Sequence, residues 1–403
     1  MQKFSYVAKD RSGRNMKGEL EAKDNKHALE ILQSRKLLVL KLEKEGNART
    51  GFLNIFEKKV VTDDLVILFR QLATMIDSGI PIVMALDILI DQVEKPKLKK
   101  ALAEARDSVN TGSNLSDALG KHYEVFSELF VNMIRAGESS GALDVILERI
   151  AVYIEKTSAL QKKVNSAMVY PAVVTGMALI ITLVLIIKVV PVFKDVFSSF
   201  GAKLPTPTLM LINTSEFMQK NIVIISVAVF FLVLLVRGYI KTPKGHLAFD
   251  KMKLKIPVFG TLLRKVAISK FTRTLGTLVK SGVPILGALE VVAKTSGNIV
   301  LENAILDVRN SVRDGATIAA PLEASKIFPT MVVRMIAVGE KSGQLEKMLN
   351  KIADFYDTQV DAAVEGLTSM IEPLIIVVLG VVIGGIVMCM FLPIFKITSL
   401  INM

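Results

Sequence analysis

Few residues in this chain of 403 amino acids are suited to chemistry, and the most suggestive group is Gly339-Glu340-Lys341-Ser342-Gly343. Glycines beside a lysine and a hydroxyl resemble a phosphate-binding loop, but the Gly-x4-Gly-Lys-Ser/Thr spacing is missing and no strand precedes the segment. The histidines at 27, 122 and 246 lie in different segments, and Cys389 is a lone cysteine in an apolar run. Neither a metal cluster nor a disulfide framework is therefore expected. We predict no catalytic residue, no bound cofactor and no enzymatic activity.

The same five residues belong to a pattern that the chain contains twice. Arg70 to Pro81 returns as Arg273 to Pro284, and Gly137 to Gly141 returns as Gly339 to Gly343, at offsets of 203 and 202 residues. A period of this length indicates a duplicated domain and not a solenoid. The motif residues that we single out are Arg70, Thr74, Ser78, Gly79, Pro81, Gly137, Glu138, Gly141 and Pro171, then Arg273, Thr277, Ser281, Gly282, Pro284, Gly339, Glu340, Gly343 and Pro373.

Structural roles explain most of these residues. Ser-Gly-x-Pro favours a helix stop and restart, because glycine tolerates a left-handed cap and proline suits a first helical turn. Gly-Glu indicates a helix break with a capping carboxylate, and contact with a partner is the less favoured interpretation. The two arginines are expected to form salt bridges inside their own copies, and Glu138 and Glu340 are the candidate partners.

Apolar runs indicate a membrane protein. The chain is 51% apolar with a mean hydropathy of +0.47, and three runs are long enough to span a bilayer. In the last run, Gly380 and Gly384 permit close helix approach, either to another span of the same chain or to a second copy. Glu372, next to Pro373, is interpreted either as a docking charge or as a hydrated carboxylate at the membrane entry.

Helical periodicity dominates the remaining sequence, so the predicted fold class is mainly α. We expect a polytopic membrane protein with two duplicated cytoplasmic six-helix bundles, three transmembrane helices and a small α/β N-terminal unit. The predicted segments are 1–45 (N-terminal unit), 46–61 (linker), 62–168 (first bundle), 169–192 (first span), 193–220 (outer loop), 221–240 (second span), 241–370 (second bundle), 371–395 (third span) and 396–403 (outer tail).

Charge placement predicts the orientation. Lysines and arginines concentrate before the first span and after the second, which places both bundles in the cytoplasm. Each copy then ends in an outward-going helix, so the second span is needed to return the chain. The net charge of +12 suits a membrane surface. The basic residues are scattered without interleaved aromatics, so lipids and not nucleic acid are the expected partner.

The duplicated Arg-x-Leu-x-Thr…Ser-Gly-x-Pro and Gly-Glu-x-Ser-Gly-x-Leu motifs, with three spans in this order, resemble a known family. It is the F family of type II secretion systems, with its type IV pilus counterpart, the PilC-like platform proteins. The resemblance covers essentially the whole chain, including the opening Phe4-Ser5-Tyr6 segment. Leu204 to Thr208 in the outer segment looks more like the pilus branch.

The resemblance implies a non-enzymatic platform in the bacterial inner membrane with a cytoplasmic N-terminus. It further implies, as partners, a hexameric motor ATPase, a pilin or pseudopilin, other inner-membrane assembly proteins and a second copy in a dimer or larger oligomer. Motor movements would pass through the bundles to the spans. The alternative is a transport or channel protein, which the near absence of ionisable groups in the spans disfavours.

Overall fold

A computed structural model describes residues 2–9, 15–22, 24–34, 38–44, 60–199, 204–257 and 259–401. Most of the predicted linker and the last two residues of the predicted tail lie outside these ranges.

The N-terminal segment contains three strands and one helix. They are β1 (Gln2–Lys9), β2 (Asn15–Ala22), α1 (Asn25–Ser34) and β3 (Leu38–Lys44). The strands form an antiparallel sheet in the order β2-β1-β3, with an irregularity in the β1–β3 register at Val7/Ala8. The Asp24 carboxylate accepts a hydrogen bond from the His27 amide at 2.8 Å, as expected for an N-cap.

Each copy of the repeat folds into six helices, of which the last is by far the longest. The first copy contains α2 (Thr62–Asp77), α3 (Ile82–Gln92), α4 (Pro96–Asn110), α5 (Leu115–Gly120), α6 (Glu128–Ser140) and α7 (Leu143–Val184). The return span and the following segment are α10 (Ile222–Ile240) and α11 (Pro243–Lys255). The second copy contains α12 (Phe259–Lys280), α13 (Ile285–Thr295), α14 (Ile299–Arg313), α15 (Ala319–Ala324), α16 (Thr330–Ser342) and α17 (Leu345–Ile401).

Equivalent aromatic clusters fill the two cores although their sequences differ. In the first copy the fully buried Phe69 packs against Phe126 and Phe130, with ring centroids 6.3 and 5.0 Å apart. The second copy has Thr272 at the position of Phe69. The neighbouring Phe271 fills the space and lies 4.8 Å from Phe328. The two bundles therefore achieve similar packing with an aromatic residue displaced by one position.

In the part of the chain that the structure describes, three helices are long and apolar enough to cross a membrane, within Leu143–Val196, Ile222–Ile240 and Leu345–Phe395. The first and the third continue without interruption from their bundles into the apolar stretch, although α7 contains Pro171 and α17 contains Pro373 and Pro393. None of the side chains of α10 is buried, so this span presents its whole surface to its surroundings. The prediction of three spans and a duplicated helical fold is confirmed.

The segment 193–220 differs from the predicted loop because most of it is helical. A π-helical turn (Leu185–Val189) connects α7 to α8 (Val190–Ser199), and α9 (Thr206–Lys220) follows. Ile212 of α9 packs with Val190, Ile386 and Met390 in a small apolar cluster. The Ser215 hydroxyl donates to the carbonyl of Ile186 in the π-helical turn at 2.5 Å. These contacts join α9 to the C-terminal ends of the first and third spans.

Candidate functional site

The repeated Ser-Gly-x-Pro motif forms a helix stop in both copies. The Ser78 and Ser281 hydroxyls each donate to the carbonyl four residues earlier, on Thr74 and Thr277, at 2.8 Å. The following glycines, at 79 and 282, have φ angles of +80° and +79°, which side chains other than glycine rarely adopt. Pro81 and Pro284 directly precede the first residue of the next helix. The motif therefore ends one helix and starts another.

Arg70 connects the first helix of its bundle to the last. Its guanidinium donates to both carboxylate oxygens of Glu155 at 2.6 Å, and Nη1 donates to Glu148 at 2.7 Å. A paired fork of this kind fixes the orientation of both side chains. The hydrogen bonds to Arg70 lower the pKa of Glu155 below its ordinary value, and those to Glu155 raise the pKa of Arg70. The predicted salt bridge exists, but the prediction of Glu138 as its partner is wrong.

Arg273 makes the equivalent connection in the second copy with a different set of carboxylates. Its Nη2 donates to Asp357 at 2.5 Å and to Asp354 at 3.0 Å. The Ser269 hydroxyl also donates to Asp357. Only 9% of the Arg273 side chain is exposed, compared with 36% for Arg70. Glu340 is therefore not the partner of Arg273, and the second bundle holds its arginine more deeply.

Glu138 and Glu340 instead cap the short fourth helix of each bundle. Glu138 accepts hydrogen bonds from the Leu115 amide at 2.5 Å and from the Ser116 hydroxyl at 2.5 Å. Glu340 accepts from the amides of Ile318 and Ala319 at 2.6 and 3.0 Å. A carboxylate at this position satisfies amides that have no partner inside the helix and interacts favourably with the helix dipole. The carboxylates cap a helix that begins about 20 residues earlier in the chain, and not their own.

The glycines before these glutamates permit close packing and do not break the helix. Gly137 and Gly339 lie inside α6 and α16 and are buried. A Cβ atom on Gly137 would lie 2.9 Å from Ile146, and one on Gly339 would lie 3.0 Å from the Leu345 backbone. The predicted helix break falls four residues later, at the left-handed Gly141 and Gly343. Position 137 and its counterpart therefore set the distance between the last two helices of each bundle.

The motif residues near the membrane make few contacts within the chain. Pro171 is buried, whereas Glu372 and Pro373 are exposed. A Cβ atom on Gly380 or Gly384 would have no atom within 4 Å. The interpretation of these glycines as a packing site for another span of the same chain is therefore not supported by the described residues.

The sequence did not reveal the contact between the two copies. The Tyr153 hydroxyl of α7 is hydrogen-bonded to Thr274 of α12 at 3.0 Å, and burial raises the pKa of Tyr153. Arg149 donates to the Lys280 carbonyl at 2.5 Å, and Lys294 donates to Glu128 at 2.9 Å. None of these residues is identical at the equivalent position of the other copy. The signal in the sequence that could have indicated this contact was a difference in charge between the copies, since Lys294 occupies the place of Asp91.

A cavity of about 370 Å³ lies at this contact. Its wall includes the charged side chains of Arg149, Lys156, Arg273, Lys280 and Asp354. Lys156 and Asp354 approach to 3.6 Å across it. Among the described residues, no group of three or more metal-ligating side chains comes together. The arrangement is suited to holding two bundles in register.

The fold and the duplicated motif define a class of protein: a polytopic helical membrane protein built from two copies of one bundle. Sequence profiles give the class a name. The type II secretion system protein F profile matches residues 68–191 and 271–393, and the profile of the N-terminal domain of that protein matches residues 1–43. The chain belongs to the type II secretion system protein F family, which confirms the resemblance.

Relatives in this family carry two kinds of name. The chain is 45% identical to the type IV pilus assembly protein PilC of Myxococcus xanthus, over 99% of this chain and 96% of the relative. It is 40% identical to the protein of the same name from Thermus thermophilus, over 98% of each. It is 34% identical to the type II secretion system protein F of Vibrio cholerae, over the full length of both.

Proposed function

We propose that this protein is the inner-membrane platform of a type IV pilus assembly machine. In this role it transmits movements of a cytoplasmic motor ATPase to pilins in the bilayer, in insertion or in extraction. The two bundles face the cytoplasm, and the chain works with other inner-membrane assembly proteins and with further copies of itself. The names of the relatives and their near full-length similarity support the pilus branch.

One observation carries the coupling mechanism. Helix α17 runs for 57 residues from the second bundle through the third span, which corresponds to about 85 Å at 1.5 Å per residue. Its first part is anchored through Asp354 and Asp357, which bind Arg273. Because a continuous helix resists bending, a displacement of the bundle is passed to the outer end of the span. Helix α7 has the same design over 42 residues.

The proposal is tested by interrupting α17 between the bundle and the span. Thr368, Ser369 and Met370 are replaced by three glycines, and the matched control carries three alanines at the same positions. Each glycine lowers helix stability by about 1 kcal/mol relative to alanine, so the first variant bends where the second does not. We expect the glycine variant to reach the membrane normally but to lose surface fibres, and the alanine variant to retain them.

Deletion of the chain and co-purification complete the test. A deletion strain is expected to lack fibres, and the full chain is expected to co-purify with the motor ATPase. Fibres that form normally in the deletion strain would overturn the platform function. Fibres that form normally in the glycine variant would overturn only the coupling through α17.

A further inference from the structure

The two copies of the bundle contact each other through different faces. The first copy uses a face of its last helix, here called face A, which contains Arg149, Tyr153 and Leu160. The second copy uses the side of its first helix, here called face B, which contains Thr274 and the C-terminal carbonyl of Lys280. Its last helix also takes part in the contact, because Asp354 and Asp361 pair with Lys156 and Lys163 of the first copy. Because non-identical faces are paired, the contact is heterologous and leaves one face of each kind unused in every chain.

The unused face A lies on the second copy and is exposed. At the offset of 202 residues, Lys351 occupies the place of Arg149, Phe355 that of Tyr153 and Ala362 that of Leu160. The Phe355 side chain is 45% exposed, whereas Tyr153 is 6% exposed. Lys351 and Ala362 are exposed as well. The second copy therefore presents an aromatic residue and a cation where the first copy has its buried contact.

The unused face B lies on the first copy and carries the opposite charge. At the offset of 203 residues, Gln71 occupies the place of Thr274 and Asp77 that of Lys280. Both are exposed, and Asp77 is the last residue of α2. Inside the chain, Arg149 donates a hydrogen bond to the C-terminus of α12, whose last residue, Lys280, is also a cation. Between chains, Lys351 would meet a helix C-terminus that ends in a carboxylate, so both the helix dipole and the side chain attract it.

A second charge pair follows from the cavity that lies beside this contact. Asn132 of the first copy and Lys294 of the second line the same cavity. Their counterparts are Arg334 and Asp91, which are exposed and have opposite charges. The counterparts of these two cavity-lining residues therefore carry opposite charges, whereas Glu128, which pairs with Lys294 inside the chain, has the uncharged Thr330 as its counterpart.

We propose that face A of the second copy binds face B of the first copy of another identical chain, with Lys351 against Asp77 and Phe355 against Gln71. The internal contact is then repeated between chains. A heterologous contact of this kind closes into a ring when its rotation allows closure and otherwise extends as a line. This deepens the self-association included in the proposed function by naming the surfaces that carry it.

The experiment is disulfide trapping between two co-expressed, differently tagged full-length chains in a Cys389→Ser background. One chain carries Lys351→Cys and the other carries Asp77→Cys. We expect a cross-linked pair containing both tags after mild oxidation in membranes. The control replaces Lys351→Cys with Arg313→Cys, because α14 contributes to neither face. A yield no higher than that of the control would overturn the proposal.

Charge exchange tests the same contact without cysteines. Lys351→Glu is expected to reduce co-purification of two tagged chains at least five-fold, and the double variant Lys351→Glu with Asp77→Lys is expected to restore it. Arg313→Glu makes the same change of charge outside both faces and should have no effect. Neither measurement depends on fibre formation. Failure of the contact therefore leaves the platform function intact, and loss of the platform function leaves the contact measurable.

Discussion

Glu155 and Asp357 lie 202 residues apart in the chain and occupy equivalent positions in the two bundles, where each accepts hydrogen bonds from the arginine of its own copy. Each arginine also binds a second carboxylate, and its position on the last helix differs between the two copies. Glu148 serves Arg70 from two turns earlier, and Asp354 serves Arg273 from one turn earlier. In both copies the arginine and its two carboxylates connect the first helix of the bundle to the last. The connection is therefore common to both copies, whereas the position of the second carboxylate is not.

The two arginines should differ in their contribution to stability. Arg70→Ala is expected to cost about 1 kcal/mol, because its ion pairs are partly exposed and screened by water. Arg273→Ala is expected to cost about 2 kcal/mol, because it removes a side chain that is only 9% exposed together with its charge-assisted hydrogen bonds to Asp354 and Asp357. Thermal unfolding of the full chain in detergent, followed by circular dichroism, measures both. Equal shifts for the two variants would contradict the assignment.

The Arg70 connection also predicts a dependence on pH. The pKa of Glu155 is lowered by its hydrogen bonds to Arg70, from an ordinary value of 4.5. A lowered pKa in the folded state contributes stability that is present above about pH 4.5 and is lost as the pH falls through the folded value. The difference in melting temperature between the natural chain and Arg70→Gln should therefore be constant near neutral pH and shrink below about pH 4. A difference that grows on acidification would exclude this role.

The helices and spans were predictable because their signals are local. The apolar periodicity and the Ser-Gly-x-Pro stop each depend only on residues that are close in sequence. The left-handed conformation of Gly79 follows from its position at the end of a helix. The segment 193–220 was predicted as an outer loop because it lies between the first two spans and carries few basic residues. Its apolar residues cover neighbouring helices, as Ile212 does, and that surface exists only once the spans are placed.

The partners of the motif residues were not predictable for a related reason. Glu138 caps a helix that begins at Leu115, and the pairing depends on how α6 folds back over α5. Arg70 binds Glu155, 85 residues away, because α2 packs against α7 in the folded bundle. The recurrence of these residues in both copies indicates a shared role, but it does not show which of them are close together in the folded bundle. The contact between copies was hidden for the opposite reason, since its residues do not recur.

Removal of the capping carboxylates should loosen one short helix in each copy. Glu138→Ala and Glu340→Ala each leave two backbone amides without an acceptor, at a cost of about 1–2 kcal/mol. Hydrogen exchange of peptides from the full chain should show faster exchange at the start of α5 or α15, according to the variant. If either single variant increased hydrogen exchange equally in both bundles, the carboxylate would not act as a local cap of one helix.

A methyl group at Gly137 should be more harmful than one at an open glycine. In Gly137→Ala the new Cβ lies 2.9 Å from Ile146 and 3.3 Å from the Leu143 backbone, so the last two helices must separate. We expect a loss of about 1–3 kcal/mol, as for other overpacked sites. Gly366→Ala is the matched control, because no atom lies within 4 Å of its Cβ position and alanine favours the helix. A melting temperature that is unchanged in Gly137→Ala would refute close packing at this position.

Tyr153 and Phe355 offer the sharpest contrast between the copies, because equivalent aromatic residues lie in opposite environments. Tyr153→Ala removes a buried ring and its hydrogen bond to Thr274, and we expect a loss of about 3–4 kcal/mol. Phe355→Ala should change the stability of the single chain by less than about 1 kcal/mol, since much of its surface is already in water. If Phe355 contacts a second chain, its substitution should instead lower the co-purification of two tagged copies. Large destabilisation by Phe355→Ala at concentrations where chains are separate would show that the ring belongs to the core of its own bundle.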